Sequence, residues 1–181
     1  IFATEKDYIN QRCREAFEST PVDWEIIRRC FHIGLAGLND TRLTDVAQKL
    51  VSFDGVPKQG ISTDQIRTTM AAVLLIARLQ PPGATELLQK CADGSIWEGI
   101  DIRSTERPDV RELLQCRAIL SLSASPNTSK SGILDHLEAK FPSSLLTKTG
   151  KDSKKALFVA VAKEDLKRQQ EGQAPLLRDG W

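Results

Sequence analysis

Apolar residues recur every three to four positions along most of the chain, the spacing typical of helices that bury one face. From Trp24 to Leu38 they form one broad stripe, and over residues 63–79 they cover much of the helical circumference. Residues 63–79 are therefore predicted to form the central helix of the fold. Similar periodic segments lie near residues 4–18, 41–51, 84–92, 108–122 and 133–141.

The apolar stretch 156–162 is the element whose type the periodicity leaves open. A short, continuous apolar run suits a buried strand as well as part of a helix. Residues 163–171 are strong helix formers, which favours a single helix from about 153 to 171. The whole pattern predicts an all-α fold, an irregular bundle of about seven to eight helices with a hinged C-terminal helical segment.

A polar stretch of low complexity at residues 123–132 interrupts the helical pattern. It is rich in serine and contains Pro126 and Gly132, a composition typical of loops and linkers. The predicted organisation is a helical core domain at 1–122, a hinge or loop at 123–132, and a basic C-terminal helical segment with a tail at 133–181.

The formal net charge of +1 hides an uneven distribution of charge. Residues 139–170 hold eight Lys or Arg against three Asp or Glu, so the rest of the chain is mildly acidic. Grouped basic side chains can contact phosphates with little dependence on base sequence. An ordinary solvated helix face, with Glu164 paired to Lys167 or Arg168, is the structural alternative. The candidate nucleic-acid contacts are Lys148, Lys151, Lys154, Lys155, Lys163, Lys167 and Arg168.

Bulky apolar side chains in irregular segments are candidate contacts with a protein partner. The tail carries Leu176, Leu177 and Trp181, and Trp97 lies in a long segment, 95–107, that we expect to be mainly loop. Such groups either dock into a neighbouring chain or fold back onto their own domain. If the tail and the loop are both exposed, self-assembly is favoured.

The residues that usually carry catalysis are scarce and poorly placed. The four cysteines form no CxxC pair and match no common zinc spacing, so we expect reduced core residues. His32 and His136 lie on predicted helices, and no phosphate-binding glycine loop is present. We therefore expect no catalytic residue, no metal and no cofactor. No apolar run approaches the roughly 20 residues that span a membrane, and the start resembles no secretory signal, so an intracellular (cytoplasmic or nuclear) protein is expected.

Two functional hypotheses follow from these patterns. The first is a non-enzymatic helical module that binds a protein partner or copies of itself. The alternative is an RNA-binding subunit, similar in kind to a viral nucleoprotein, that contacts phosphates through the basic C-terminal region.

Overall fold

The computed structural model describes residues 4–147, 149–150 and 152–177, and the regular structure within these ranges is helical, without a β-strand. The predicted all-α bundle of seven to eight helices is confirmed. The α-helices are α1 (Glu5–Glu18), α2 (Trp24–Ile33), α3 (Leu43–Val51), α4 (Thr63–Leu79), α5 (Ala84–Asp93), α6 (Val110–Ala124), α7 (Lys130–Lys140) and α8 (Ser153–Gln170). A π-helical turn lies at Gly34–Leu38, and two 3-10 turns lie at Ser95–Trp97 and Ser143–Thr147.

Polar side chains mark where several helices begin. Thr4, Asp23 and Ser62 each accept a hydrogen bond from the backbone N–H three residues further on, at the start of α1, α2 and α4. These side chains satisfy backbone donors that have no partner within the helix. The local sequence is therefore sufficient to specify where these three helices begin.

The central helix of the bundle is α4, as the apolar pattern predicts. All of its residues from 71 to 77 are buried, and it packs against α2, α3, α5 and α6. A helix that is apolar on nearly all sides is stable only when neighbouring elements cover it. The surrounding helices provide that cover.

Two glycines explain how α2 ends beside α4. A Cβ atom on Gly34 would lie 2.9 Å from Leu43 Cδ1 and 3.0 Å from Leu75 Cδ1, so a side chain at this position would collide with α3 and α4. Gly37 has a φ of 128°, a backbone conformation that other residues rarely adopt. The two glycines thus permit a close helix crossing and the turn that follows it.

Trp97 lies in the core and is not a surface group. Its side chain is fully buried, and its Nε1–H donates a hydrogen bond of 2.9 Å to the carbonyl oxygen of Val51. The prediction that Trp97 is exposed for contact with a partner is therefore wrong. The physical reason is that a short 3-10 turn after α5 directs the indole ring inward, where α3 offers a buried acceptor.

Half of the predicted hinge at 123–132 is helical. Helix α6 continues through Ala124 and α7 begins at Lys130, which leaves a loop of only residues 125–129. Ser123 and Ser125 are buried, and the helices on both sides of the loop contribute to the same hydrophobic core. A hinge motion at this loop stays a prediction.

A buried carboxylate joins α1 to the start of α3. Asp40 accepts hydrogen bonds from Asn10 Nδ2 at 2.6 Å and from Arg42 Nη2 at 2.7 Å. Arg42 also donates to Asp7 Oδ1 at 2.7 Å. The hydrogen bonds from Arg42 lower the pKa of Asp40 from its ordinary value.

This lowered pKa predicts a loss of stability in acid. Because the unfolded chain binds a proton at Asp40 more readily than the folded chain does, this carboxylate stabilises the fold above the pKa of an unperturbed Asp, about 3.9. That contribution should disappear as the pH falls from there through the lower folded-state pKa of Asp40. Denaturant unfolding of the wild type and of Asp40→Asn, compared at pH 7 and at about pH 3, measures the effect. We expect the wild type to lose more stability than the variant, and equal losses would contradict this assignment.

Candidate protein-binding surface

Helix α8 is apolar on more sides than its own protein covers. Residues 156–162 are seven apolar residues in succession, within the helix Ser153–Gln170. Ala156, Val159 and Ala162 are buried on the side that packs against α6. The prediction of a helix here is confirmed, and the strand alternative is wrong. A helical stretch that is apolar on all sides, as residues 156–162 are, is normally covered by neighbouring elements.

The other side of the apolar run faces away from the core. Leu157 is 49% exposed, Ala160 is exposed and Val161 is half-buried. These three residues, with Lys154 and Glu164 at the two ends, share one side of the helix because they are spaced by three or four positions. We call these five residues the outer face of α8.

A second exposed leucine lies close to this helix. Leu146 is 43% exposed and belongs to the 3-10 turn Ser143–Thr147, which packs against α8. Isolated exposed apolar residues are common, but grouped ones mark interaction sites. Sequence reasoning missed both leucines as site residues. For Leu157 the signal was the length of the apolar run 156–162, which exceeds what one buried face requires; Leu146 lies outside that run.

Lysines near the start of α8 are paired with acidic side chains. Lys154 Nζ lies 3.4 Å from Asp109 Oδ2, and Lys155 Nζ lies 2.6 Å from Asp152 Oδ1. Lys155 also lies over the ring of Phe141, 5.3 Å from its centroid. These pairings offset the positive charge that the sequence places here.

Lys163, further along α8, is also paired. Its Nζ lies 2.9 Å from Asp135 Oδ1 and hydrogen bonds with Glu138 on α7, and these contacts raise the pKa of Lys163. The candidate residues Lys148 and Lys151 lie outside the described residues.

The last two candidate basic residues have different surroundings. Lys167 is exposed, and Arg168 Nε donates a hydrogen bond of 2.6 Å to Gln173 Oε1. Since three of the described candidate lysines face acidic partners, the basic candidates within the described residues do not form one continuous, uncompensated surface.

A cleft of about 630 Å³ beside the start of α8 contains charges of both signs. Its lining residues include five acidic and three basic ones, so it does not resemble a site for a phosphate. These charged residues are Asp93, Glu98, Asp109, Glu112, Asp152, Arg111, Lys140 and Lys155.

A buried aspartate holds the tail against α8. Asp165 accepts hydrogen bonds from Ser123 Oγ at 2.7 Å, from Gln169 Nε2 at 3.2 Å and from the backbone N–H of Leu176 at 3.1 Å. The carbonyl oxygen of Leu177 accepts a hydrogen bond of 2.7 Å from Arg78. The start of the tail is thus tied to α8 and to α4, and Asp165 also joins α8 to the end of α6.

The tail presents only part of the predicted partner surface. Leu177 is 1% exposed and belongs to the core, so its predicted contact with a partner is wrong. Leu176 is 42% exposed, and its partner contact stays a prediction. Trp181 lies outside the described residues.

Comparison of the chain with protein-family models, with characterised proteins and with solved structures finds no match. Within residues 4–147, 149–150 and 152–177, no helix combines the length and hydropathy needed to cross a membrane. In the same part of the chain, no three His, Cys, Asp or Glu side chains are grouped so that they could hold a metal ion.

Proposed function

We propose that this protein is a non-enzymatic module that binds another protein chain through the outer face of α8. The observation that supports the proposal is the apolar run 156–162, of which only the inward side is covered. Burying the exposed part of Leu157 and its apolar neighbours against a partner would remove apolar surface from water, which is the usual driving force for association.

Two of the four thiols are clearly unsuited to catalysis, whereas a hydrogen bond with Cys13 lowers the pKa of the Cys30 thiol. A cysteine acts as a nucleophile through its thiolate, in an accessible and electropositive site. Cys91 and Cys116 are buried, and burial raises the pKa of both thiols, that of Cys116 to about 12. All four cysteines are buried and unpaired, which suits the intracellular location, cytoplasmic or nuclear, that we also propose.

RNA binding through the basic region stays the alternative hypothesis. The excess of Lys and Arg in residues 139–170 supports it, while the acidic partners of Lys154, Lys155 and Lys163 count against it. Protein binding is therefore the function that we favour.

The proposed function predicts that one substitution on α8 abolishes partner binding. In Leu157→Glu, a carboxylate replaces an apolar group at the centre of the outer face, and docking would bury an unpaired charge. The matched control is Tyr8→Glu, since Tyr8 is about as exposed but lies on α1. Tagged full-length chains are produced in the native organism, and co-purifying proteins are quantified by mass spectrometry.

We expect the wild type and Tyr8→Glu to retain the same specific partner, and Leu157→Glu to lose it. Circular dichroism and thermal unfolding establish that all three chains are equally folded. Recovery of the same proteins with folded Leu157→Glu would show that the outer face of α8 is not the binding surface.

A further inference from the structure

We infer that the occupant of the outer face of α8 is a second copy of this chain, with the two α8 helices packed antiparallel. This inference rests on the proposed function and identifies the partner of the same surface. Its basis is the order of residues along the face: a lysine near the N-terminal end, apolar residues in the middle, and a glutamate towards the C-terminal end. Lys167 and Arg168 follow on the same side, but in the register given below they lie beyond the start of the second helix.

The order of charges selects the direction of packing. In a parallel pair, Lys154 of one copy would approach Lys154 of the other, and Glu164 would approach Glu164. In an antiparallel pair, each Glu164 approaches Lys154 of the second copy. Opposite charges attract across an interface and like charges disfavour it, so only the antiparallel arrangement is self-complementary.

One register satisfies the apolar and the charged residues together. When the helices cross near residues 158 and 159, Leu157 of each copy lies opposite Ala160 and Val161 of the other. Ala160 is small, which lets the backbones approach and leaves room for the leucine. A two-fold axis produces every contact twice, as is usual in dimers of identical chains.

The same register places Glu164 at the N-terminal end of the other helix. Glu164 then lies near Ser153 and Lys154 of the second copy, in the first turn of α8. Unpaired backbone N–H groups at a helix start carry partial positive charge, which favours a nearby carboxylate. Lys154 is 42% exposed, so it can reach a second copy from its position beside Asp109.

The size of this surface indicates a weak, concentration-dependent dimer. Helix α8 has 18 residues and is about 27 Å long, and only its middle turns carry apolar residues on the outer face. Contacts of that extent belong to the small, transient class of protein interfaces. Self-association must therefore be measured over a wide range of protein concentrations.

Sedimentation velocity of the full chain over a concentration series tests the inference. The wild type and Tyr8→Glu should show the same monomer–dimer equilibrium, and folded Leu157→Glu should stay monomeric at every concentration. Glu164→Lys should raise the dimer dissociation constant about 10-fold, because two attractive pairs become repulsive. Adding Lys154→Glu to that variant exchanges both charges and should restore part of the affinity, because the new lysine lies near the positively charged start of the other helix.

Cross-linking identifies the register. Equal amounts of ¹⁴N-labelled and ¹⁵N-labelled chain are mixed and treated with a carbodiimide, which joins a lysine directly to a carboxylate. We expect a mixed-isotope product that links Lys154 to Glu164. A link from Lys154 to Asp109 should carry a single isotope, because that pair lies within one chain.

The outcomes separate the inference from the proposed function. A chain that is monomeric at all concentrations, or a dimer indifferent to Leu157→Glu and to charge reversal, would overturn the inference. If either of these results is found but Leu157→Glu still abolishes binding of a different protein, protein binding by α8 stands and only the identity of the partner is wrong. If it loses no partner, both proposals are wrong.

Discussion

Replacing Trp97 by Ala is expected to lower the free energy of unfolding by about 3–5 kcal/mol. The indole ring is completely buried between α3 and the segment that follows α5, so its removal leaves a cavity that the surrounding helices fill only in part. The carbonyl oxygen of Val51 also loses the 2.9 Å hydrogen bond from Nε1. Because domains are typically stable by only about 5–15 kcal/mol, this variant should be close to unfolding at room temperature.

Urea denaturation followed by circular dichroism measures this effect. Trp24→Ala is the matched control, since Trp24 is only half-buried at the start of α2 and should cost clearly less. Trp97→Phe keeps an aromatic ring but removes the donor to Val51, and we expect an intermediate loss. A Trp97→Ala variant no less stable than Trp24→Ala would contradict the central position assigned to this residue.

Replacing Asp165 by Ala is expected to cost roughly 2–4 kcal/mol and to release the tail from α8. The variant removes an acceptor from three donors: Ser123 Oγ, Gln169 Nε2 and the backbone N–H of Leu176. Ser123 Oγ and Gln169 Nε2 also have carbonyl acceptors at Leu120 and Ser123, so the largest loss falls on the N–H that ties the tail. Asp165 is 1% exposed, so water cannot easily replace the lost carboxylate at this position.

Hydrogen exchange measured by mass spectrometry locates the effect. Exchange in residues 171–177 and in the second half of α8 should accelerate in Asp165→Ala, while α4 responds only to the general loss of stability. Asp165→Asn keeps one acceptor oxygen and should show a smaller change. Unchanged protection of the tail in Asp165→Ala would mean that its attachment does not depend on this carboxylate.

Hydrophobic spacing predicted the helices because a helix depends mainly on neighbours three and four positions away. The central position of α4 followed from its apolar residues, and the type of α8 followed from the strong helix formers after the apolar run. Position 97 was misjudged for the opposite reason. The acceptor of its indole N–H is Val51, 46 positions earlier, and no local pattern indicates that contact.

In the candidate site, too, some features were evident from the sequence and others only from the fold. The sequence correctly indicated a local excess of positive charge after residue 139. The ion pairs of Lys154 with Asp109 and of Lys163 with Asp135 form only when the chain folds. The position of Leu157 in the apolar run was evident from the sequence. Its exposure depends on which side of α8 meets α6.

The sequence alone determined that this protein is all-α, where its central helix runs, and that residues after 152 continue as a helix. Only the tertiary structure decided that the tail is pinned by Asp165 and that one side of α8 remains uncovered. The physical reason is range: helix propensity and periodicity act between near neighbours, whereas burial and ion pairing join residues that lie far apart in the chain.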